Sequence, residues 1–334
     1  MNTSMQLQAR MESWPLANEF RIARGAKTEA RVVVVELSDG HYSGFGECLP
    51  YARYGETPET TVALLNALSD AELSDLLTTG RSTGCSAADN ALNCAWWDLR
   101  AQQQQTPVWS LLDMPRPEPL VTAYTLPIAD PHAMAELAAA HAHRPLLKVK
   151  LGGEDAEHDS ERLTRVRQAA PESRLVVDAN EGWTPELLLG LLPLAADLQV
   201  TMIEQPLPAG ADDALVGLDT PVLIGADESV HGEQDLAALR RKYQVVNVKL
   251  DKTGGLSAAR RLVNAAKALE FEIMIGCMVA TSLSMAPAFL LAAEADYVDL
   301  DGPLLLSKDR PGGLDYHDSL ISWPAAVCWG EPRP

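Results

Sequence analysis

The sequence has few cysteines and no long apolar segment. Its five cysteines are an odd number without a Cys-x-x-Cys pair, which argues against a disulfide framework and for reduced thiols. No run of about 18 or more apolar residues occurs, because Thr281 and Ser284 interrupt the most apolar segment, 278–293. The polar residues 1–10 have no apolar core of signal-peptide length. We therefore expect a cytoplasmic protein that does not enter a membrane.

Positive charge is also scarce. The chain has 27 Lys and Arg residues against 46 Asp and Glu residues, so its formal net charge is −19. Such a charge repels nucleic acids and anionic membrane surfaces, and neither is expected as a partner. An anionic small-molecule substrate would need a local group of basic residues that opposes the overall charge.

Hydrophobic residues are plentiful, at 47% of 334, which is enough for a large core. From residue 121 onward, short apolar runs alternate with helix-like segments. The runs are too short for helices and are continuous, as strands buried on both faces are. They are Val121–Ile128, Leu146–Leu151, Arg174–Asp178, Val200–Glu204, Val222–Asp227, Val245–Leu250, Ile273–Met278 and Tyr297–Asp301. Helices are predicted between them at Asp159–Ala170, Pro185–Asp197, Gln234–Lys242 and Leu256–Leu269.

Eight such units, recurring about every 25 residues, predict an α/β fold with a (β/α)-barrel over residues 119–309. A solenoid would have a similar period, but no repeated motif links the units. Residues 1–118 predict an α+β domain, and residues 310–334, which do not fit a ninth unit, are expected to join it. The elements predicted in the first domain are strands Met5–Trp14 and Arg31–Leu37 and helices Ala63–Leu77 and Ser86–Gln104.

Three acidic residues end successive apolar runs. A parallel barrel would bring Asp178, Glu204 and Asp227 together at the carboxyl ends of its strands. Each acid taken alone is also a plausible helix N-cap, and that alternative stays open. Together the three carboxylates would repel one another, and a hard divalent cation with oxygen ligands removes the repulsion. The sequence therefore predicts a Mg²⁺ site, with Mn²⁺ as a possible substitute and with Asn180 and Glu228 nearby.

Lysines end two other runs. Lys148 and Lys150 flank Val149, so both face the same side of a strand and point into the barrel mouth. Lys249 ends the sixth run, and Lys252 follows it, where we expect a loop. A free lysine has a pKa of about 10.4 and is a poor base at pH 7. A neighbouring ammonium and a metal ion would lower that pKa, which is a physical reason to place lysines around a metal.

The predicted strand order places Lys150 and Lys249 on opposite sides of the barrel. Lys150 on the second strand and Lys249 on the sixth lie opposite in a ring of eight, and the three carboxylates occupy the arc between them. A substrate carboxylate at the metal would present its α-carbon to one lysine on each face. One lysine would remove a proton and the other would return one from the opposite side. This arrangement predicts a 1,1-proton transfer that inverts the carbon, with the metal stabilising an enediolate.

These residues resemble the enolase superfamily, in its muconate-lactonising subgroup, whose sites combine a lysine or histidine base with Mg²⁺. The shared motifs are Lys148–Lys150, Asp178–Asn180, Glu204–Pro206, Asp227–Ser229, Asn247–Lys249 and Gly254–Gly255. Within the subgroup the chain looks most like dipeptide epimerases of the L-Ala-D/L-Glu type. That similarity rests on Ile22–Gly25, Glu47–Cys48, Pro50–Tyr51, Arg53–Glu56, Ile275–Met278 and Asp299–Pro303. It covers nearly the whole chain and implies that the first domain caps the barrel.

The resemblance also implies roles for the strand-end residues. It makes Lys150 and Lys249 the two bases and Lys148 an electrostatic aid at the substrate carboxylate. It implies that Asp299 and Asp301 hold the ammonium of the first amino acid. Their side chains face the same way, which suits a cation. A helix-capping turn remains the alternative for this pair.

Three further residues are implied to bind substrate. Arg24 lies in a segment that resembles the mobile capping loop of the family and would meet the glutamate side-chain carboxylate, although it fits a surface arginine equally well. Thr125 and Cys277 would line the pocket, with barrel packing as their alternative. The polar segment 152–158 departs from the pattern of the family and would alter the rim of the pocket.

Related activities share the metal and both lysines. Muconate cycloisomerase, o-succinylbenzoate synthase and N-acylamino acid racemase are therefore alternatives, and the Asp299/Asp301 pair separates them, because it suits a substrate with a free amine. A non-catalytic binding barrel would need neither lysine. The expected partner is a small dipeptide from peptidoglycan-peptide metabolism, and the resemblance implies a homo-oligomer.

Overall fold

A computed structural model describes residues 5–152, 156–324 and 326–333. The chain begins with an antiparallel sheet of three strands in the order β1-β2-β3. The strands are β1 (Gln6–Ile22), β2 (Gly25–Ser38) and β3 (Ser43–Cys48). The first two form a long hairpin that extends both predicted strands, with an irregularity in pairing between Pro15 and Phe20. The tip of this hairpin, between Ile22 and Gly25, extends beyond the three-stranded sheet.

Four helices cover the sheet and complete the cap. They are α1 (Pro58–Asn66), α2 (Asp70–Thr79), α3 (Ser86–Gln104) and α4 (Val108–Leu111), after a short 3₁₀ turn at Ala52–Tyr54. The prediction of α3 is confirmed. The single helix predicted at Ala63–Leu77 is wrong, because Ser69 starts a second helix. The side chains of Ser69 and Glu72 each accept the other's backbone N–H, a capping box that apolar periodicity does not show.

Helix α3 lies unusually close to strand β3. A Cβ on Gly44 would come within 2.2 Å of the Leu99 backbone nitrogen, and one on Gly46 within 2.1 Å of the Ala91 carbonyl oxygen. Only glycine permits this approach. The small residues on the facing side of α3 bury the sheet in a core of its own.

Eight parallel strands follow, preceded by the short β4 (Leu120–Val121). They are β5 (Tyr124–Leu126), β6 (Leu146–Lys150), β7 (Arg174–Asp178), β8 (Val200–Glu204), β9 (Leu223–Ala226), β10 (Val245–Val248), β11 (Glu272–Gly276) and β12 (Tyr297–Asp299). Each pairs with its neighbours in chain order from β5 to β12. The Ala123 N–H donates to the Val298 carbonyl at 2.8 Å, which brings the two edges together. The predicted barrel is confirmed.

Helices follow the strands of the barrel. They are α5 (Pro131–Ala140), α6 (Ala156–Ala169), α7 (Pro185–Asp197), α8 (Leu236–Leu239), α9 (Leu250–Thr253), α10 (Leu256–Ala268), α11 (Ser282–Ala292) and α12 (Gly302–Leu305), with 3₁₀ turns at Asp213–Leu215 and Glu233–Asp235. The helix predicted at Gln234–Lys242 is shorter than expected, since only α8 and a 3₁₀ turn form there. Residues 153–155 of the polar segment 152–158 lie outside the described residues.

The inside of the barrel has an apolar floor and a polar top. A small core at the amino ends of the strands contains Ala123, Leu146, Val176, Met202, Val245, Met274 and Tyr297. Side chains two residues further along each strand point the same way, because the repeat of a strand is two. On most strands the residue at that next inward-facing position is polar. The interior of the barrel therefore changes from an apolar core to a charged site within two residues along each strand.

The segment after residue 310 contacts both units. Strand β14 (Leu320–Ser322) lies between β13 (Asp315–His317) and β4 and pairs antiparallel with both. Further on, the Gly330 N–H and the Arg333 guanidinium both donate to the fully buried Asp98 of α3, at 2.9 Å each. Among the described helices, none is long and apolar enough to span a bilayer.

Candidate active site at the carboxyl ends of the barrel strands

The charged residues predicted at the strand ends lie together. Lys150, Asp178 and Glu204 are paired in register across β6, β7 and β8, so their side chains emerge at one level. Asp227 and Lys249 directly follow β9 and β10. All five side chains are buried. Burying so many charges is favourable only if they compensate one another or bind a ligand.

A cavity of about 900 Å³ lies between these strand ends and the cap. Most of the residues predicted to form the site line it. They are Arg24, Thr125, Lys148, Lys150, Asp227, Lys249, Cys277, Asp299 and Asp301. Asp178 and Glu204 lie behind this lining, where both contact Lys148.

Lys148 occupies the centre of the carboxylates. Its Nζ atom lies 2.7 Å from Glu204, 2.8 Å from Asp299 and 3.1 Å from Asp178. Burial lowers the pKa of Lys148, but these negative charges outweigh burial and hold the pKa well above its usual value. Lys148 is therefore positively charged in this arrangement of carboxylates.

The two proposed bases each pair with one carboxylate. Lys150 Nζ lies 2.5 Å from Asp178 Oδ2, and Lys249 Nζ lies 2.6 Å from Asp227 Oδ2. Burial lowers the pKa of Lys249, but the surrounding carboxylates, Asp227 first and then Glu204 and Glu228, together outweigh burial and raise it. A lowered pKa was expected. The charges of the protein alone act in the other direction, because Asp227 lies 2.6 Å from the Lys249 ammonium and further carboxylates add to its effect.

The carboxylates themselves differ in charge environment. Burial raises the pKa of Asp178 and of Asp227, but the adjacent lysines outweigh it and lower both values. The pKa of Glu204 is instead raised to about 7, by burial and then by the charge of Asp178. Glu204 Oε1 accepts a hydrogen bond from Asn247 at 2.7 Å. Of the three carboxylates, Glu204 is therefore the one whose negative charge the nearby lysines compensate least.

The donor chemistry of this group fits Mg²⁺. Three buried carboxylates end adjacent strands, and the described residues give Glu204 Oε2 no hydrogen bond of good geometry, although Lys148 Nζ is 2.7 Å away. In the structure, however, Asp178 and Asp227 each pair with a lysine, Lys150 and Lys249 respectively. Across residues 5–152, 156–324 and 326–333, no three His, Cys, Asp or Glu side chains are grouped closely enough to hold a metal ion. The metal site stays a prediction.

Asp299 and Asp301 face the other side of the cavity. Asp299 Oδ2 pairs with Lys148, while its Oδ1 has no hydrogen bond within the described part of the chain. Asp301 Oδ2 accepts the Thr125 N–H at 2.7 Å. Burial and then the charge of Asp299 raise the pKa of Asp301 to about 7. This side of the cavity therefore favours a positively charged ligand group. Burial likewise raises the pKa of the Cys277 thiol, so it is not a nucleophile at neutral pH.

The tip of the β1–β2 hairpin reaches over the strand ends and carries Arg24. Its guanidinium pairs with Glu228 at 2.6 Å and with Glu181 at 3.1 Å, and it donates to the Asn180 carbonyl at 2.8 Å. Arg53 binds both carboxylate oxygens of Glu181, at 2.8 and 2.9 Å. We call Arg24, Arg53, Glu181 and Glu228 the arginine–glutamate cluster. It joins the cap to the barrel at the cavity mouth.

One buried site residue was misplaced by the sequence argument. Lys252 is not on a loop but in helix α9, where its Nζ lies 2.5 Å from Asp227 Oδ1. Asp227 thus contacts Lys249 through one oxygen and Lys252 through the other. No apolar periodicity indicates this placement, because Lys249 lies in extended backbone before a helix of only four residues. Gly254, at φ 86°, then ends that turn.

Comparison with known proteins identifies the family. Residues 4–113 match the mandelate racemase / muconate lactonizing enzyme N-terminal domain, and residues 132–327 match the enolase C-terminal domain-like family. Two curated relatives are each 44% identical to the chain. One is L-Ala-D/L-Glu epimerase of Escherichia coli strain K12, over 91% of this chain and 95% of the relative. The other is N-acetyl-D-glutamate racemase of a Pseudoalteromonas species, over 90% and 95%.

Solved structures of similar proteins support the same family. An enolase family member from Agrobacterium tumefaciens with homology to dipeptide epimerases, with bound sodium and L-Ala-L-Glu, has a TM-score of 0.92 at 47% identity and covers 98% of this chain and 100% of its own. A dipeptide epimerase from Enterococcus faecalis V583, complexed with Mg and L-Leu-L-Tyr, has a TM-score of 0.88 at 28% identity, with coverage of 97% and 98%. The chain, with its capped eight-stranded barrel and charged strand ends, belongs to the mandelate racemase / muconate lactonizing enzyme family of the enolase superfamily.

Proposed function

We propose that the protein epimerises dipeptides of the L-Ala-D/L-Glu type by Mg²⁺-dependent 1,1-proton transfer. The observation that carries this proposal is the pair of buried lysines, Lys150 on β6 and Lys249 after β10. Three strands separate them on one side of the ring, and those strands end in the three carboxylates. A site that only bound a ligand would not need two lysines on opposite walls.

In this proposal the two lysines act on opposite faces of one α-carbon. One lysine, neutral, takes the α-proton from the glutamate residue, and the resulting enediolate carries the negative charge. The other lysine, charged, returns its proton to the opposite face, so the configuration inverts and the number of protons is conserved. The reverse reaction exchanges the two roles. The positive charge of Lys148 lies where it would stabilise the developing negative charge.

Asp178, Glu204 and Asp227 would hold Mg²⁺, with Mn²⁺ as a proposed substitute. The ion would supply positive charge beside the substrate carboxylate and offset the carboxylates that now raise the pKa of Lys249. This proposal is supported by the excess of carboxylates in the site and by the Mg in the Enterococcus faecalis epimerase.

A dipeptide fits the remaining walls of the cavity. Asp299 and Asp301 would bind the ammonium of its first residue, supported by the unpaired oxygen of Asp299. Thr125 and Cys277 would contact the peptide as lining residues. Arg24 would lie near the glutamate side chain at the cavity mouth. We further propose a cytoplasmic homo-oligomer acting on peptides from peptidoglycan, consistent with the free state of all five cysteines.

N-acylamino acid racemisation is the second candidate. It is favoured by the Pseudoalteromonas relative, named as an N-acetyl-D-glutamate racemase at the same 44% identity. Its substrate would have the same glutamate but no ammonium for Asp299 and Asp301. The two candidates therefore differ at one wall of the cavity and share the chemistry of the lysines.

Proton NMR in D₂O tests the proposal. The protein is incubated with Mg²⁺ and either L-Ala-L-Glu or N-acetyl-L-glutamate, and loss of the glutamate α-proton signal is followed. We expect exchange and inversion of L-Ala-L-Glu, faster than any reaction of N-acetyl-L-glutamate. Preference for the acetyl compound would favour the second candidate. Absence of exchange with both compounds and with a small dipeptide panel would exclude the lysine mechanism.

A further inference from the structure

The mouth of the cavity carries basic residues, but its arginines are already neutralised. The arginine–glutamate cluster contains two arginines and two glutamates, so its net charge is zero. Arg24 contacts both glutamates, and Arg53 binds Glu181 through two hydrogen bonds. A substrate carboxylate that met this cluster alone would gain little net attraction, because it would also approach Glu228.

Lys27 is the uncompensated cation at this mouth. It lies on β2, lines the cavity, and places its Nζ atom 5.2 Å from the ring centroid of Tyr51. Within the described residues its side chain makes no ion pair and no hydrogen bond. Of the acids that line this part of the cavity, Glu59 pairs with Arg31 and Glu19 with Arg21, while Glu29 accepts the Ser13 hydroxyl and forms no ion pair with Lys27.

Lys27 and Arg24 share the Tyr51 ring. The Arg24 Cζ atom lies 5.6 Å from the same centroid, and the Tyr51 hydroxyl accepts from the Arg24 guanidinium at 2.9 Å. The ring thus fixes both cations beside one part of the cavity. Burial, and then the charge of Arg24, lower the pKa of Lys27, as is expected of two like charges facing a shared space.

We propose that Lys27 is a specificity-determining residue that binds the side-chain carboxylate of the substrate's second residue, alongside Arg24. This inference rests on the proposed function, which places the glutamate α-carbon between Lys150 and Lys249. From there the ammonium-binding acids occupy one wall of the cavity, and the glutamate side chain extends towards the hairpin. A carboxylate at that position places a negative charge between two cations, of which only Arg24 is otherwise paired.

The test compares a charged dipeptide with its neutral isostere. Lys27→Met keeps the length of the side chain and removes its charge, and Lys27→Arg restores a charge. Lys267→Met is the matched control, because Lys267 is exposed at the end of α10, on the far side of the barrel. For each protein, kcat and KM are measured with L-Ala-L-Glu and L-Ala-L-Gln in Mg²⁺, and the binding of both dipeptides is measured by calorimetry.

We expect Lys27→Met to lower kcat/KM for L-Ala-L-Glu about tenfold, through KM, since a charge-assisted hydrogen bond at a partly exposed site has about that effect. Its kcat/KM for L-Ala-L-Gln should change less than about twofold, because no charge pair is lost. Lys27→Arg should recover most of the loss, and Lys267→Met should match the wild type. Higher ionic strength should weaken the preference for glutamate more in the wild type than in Lys27→Met, which keeps only Arg24 at this position.

An equal loss with both dipeptides, or no loss with either, would overturn the role of Lys27. Calorimetry separates this result from failure of the proposed function. Wild-type protein that binds L-Ala-L-Glu in a Lys27-dependent way, without exchanging its α-proton, would refute the reaction and uphold the binding role. Wild-type protein that binds both dipeptides equally, or neither, would refute the binding role.

Discussion

Replacing Arg310 with methionine tests what holds the cap on the barrel. The Arg310 guanidinium pairs with Glu47 at 2.7 Å, contacts Glu12, and lies 4.8 Å from the ring centroid of Trp14. Glu47, on β3 and fully buried, also accepts hydrogen bonds from the Thr281 N–H at 2.8 Å and the Thr281 hydroxyl at 2.6 Å. One carboxylate therefore joins the cap, the barrel and the segment after residue 310.

The expected loss of stability follows from the Glu47 carboxylate, which would remain buried without its arginine. Breaking a buried ion pair by removing one partner costs about 3–5 kcal/mol. Two features reduce the cost here: the Arg310 side chain is 14% exposed, and Thr281 continues to donate to Glu47. We expect Arg310→Met to lower the free energy of unfolding by about 2–4 kcal/mol. The double variant Glu47→Gln, Arg310→Met should lose less, because no buried charge remains unpaired.

Urea unfolding at pH 7, followed by tryptophan fluorescence and circular dichroism, measures the change. Arg261→Met is the matched control: it removes an arginine from an exposed pair with Glu233 and should cost about 1 kcal/mol or less. A loss in Arg310→Met no larger than in this control would refute the reasoning. So would a double variant less stable than Arg310→Met, since removing the unpaired charge of Glu47 would then have recovered no stability.

Three further predictions concern the site and its support. Lys249→Ala should lower epimerisation about 10²–10⁴-fold while α-proton exchange from one stereoisomer persists by NMR in D₂O, and loss of Mg²⁺ binding instead would contradict its role as a base. Asp178→Asn should weaken Mg²⁺ binding by calorimetry, and unchanged affinity would remove it from the metal site. Burial raises the pKa of Asp251 to about 7, above its unfolded value near 3.9, so its contribution to stability should fall as pH rises from about 4 to 7. Asp251→Asn should therefore gain in urea midpoint relative to wild type between pH 5 and pH 8, and a constant difference would contradict this.

The barrel and its charged strand ends could be predicted because each is a local signal. A strand buried on both faces is a continuous apolar run, and a polar residue that ends it must lie at the strand end. The periodicity of two then decides which residues face the interior, as it did for Lys148 and Lys150. Parallel strands share one carboxyl edge, so local patterns on β7, β8 and β9 were sufficient to bring distant carboxylates together.

What could not be predicted is of two kinds: contacts between distant segments, and short local structures that leave no apolar periodicity. The pairing of Arg24 with Glu228 joins residues 204 positions apart, and no spacing rule indicates it. The pKa of Lys249 depends on which charge stands nearest, and that is Asp227 rather than another ammonium. Lys252 appeared to lie on a loop because a four-residue helix is too short to show periodicity. The split between α1 and α2 depended on a hydrogen-bonded cap, which the apolar pattern does not record.

The burial of Asp98 has a consequence for folding during synthesis. The ribosome adds Asp98 with the cap, and its partners Gly330 and Arg333 follow 232 and 235 residues later. Before these two residues are added, Asp98 has only the donors of the cap itself, the Phe45 N–H at 2.8 Å and the Gln102 amide at 3.3 Å, and no cation within the described part of the cap. Because a buried carboxylate without a cation is unfavourable, we expect the packing around α3 to be completed only after the barrel has been synthesised. We therefore expect the cap, although it is synthesised before the barrel, to reach its final packing after the barrel. Mutations that slow barrel folding should for this reason expose the cap of newly made chains to proteolysis.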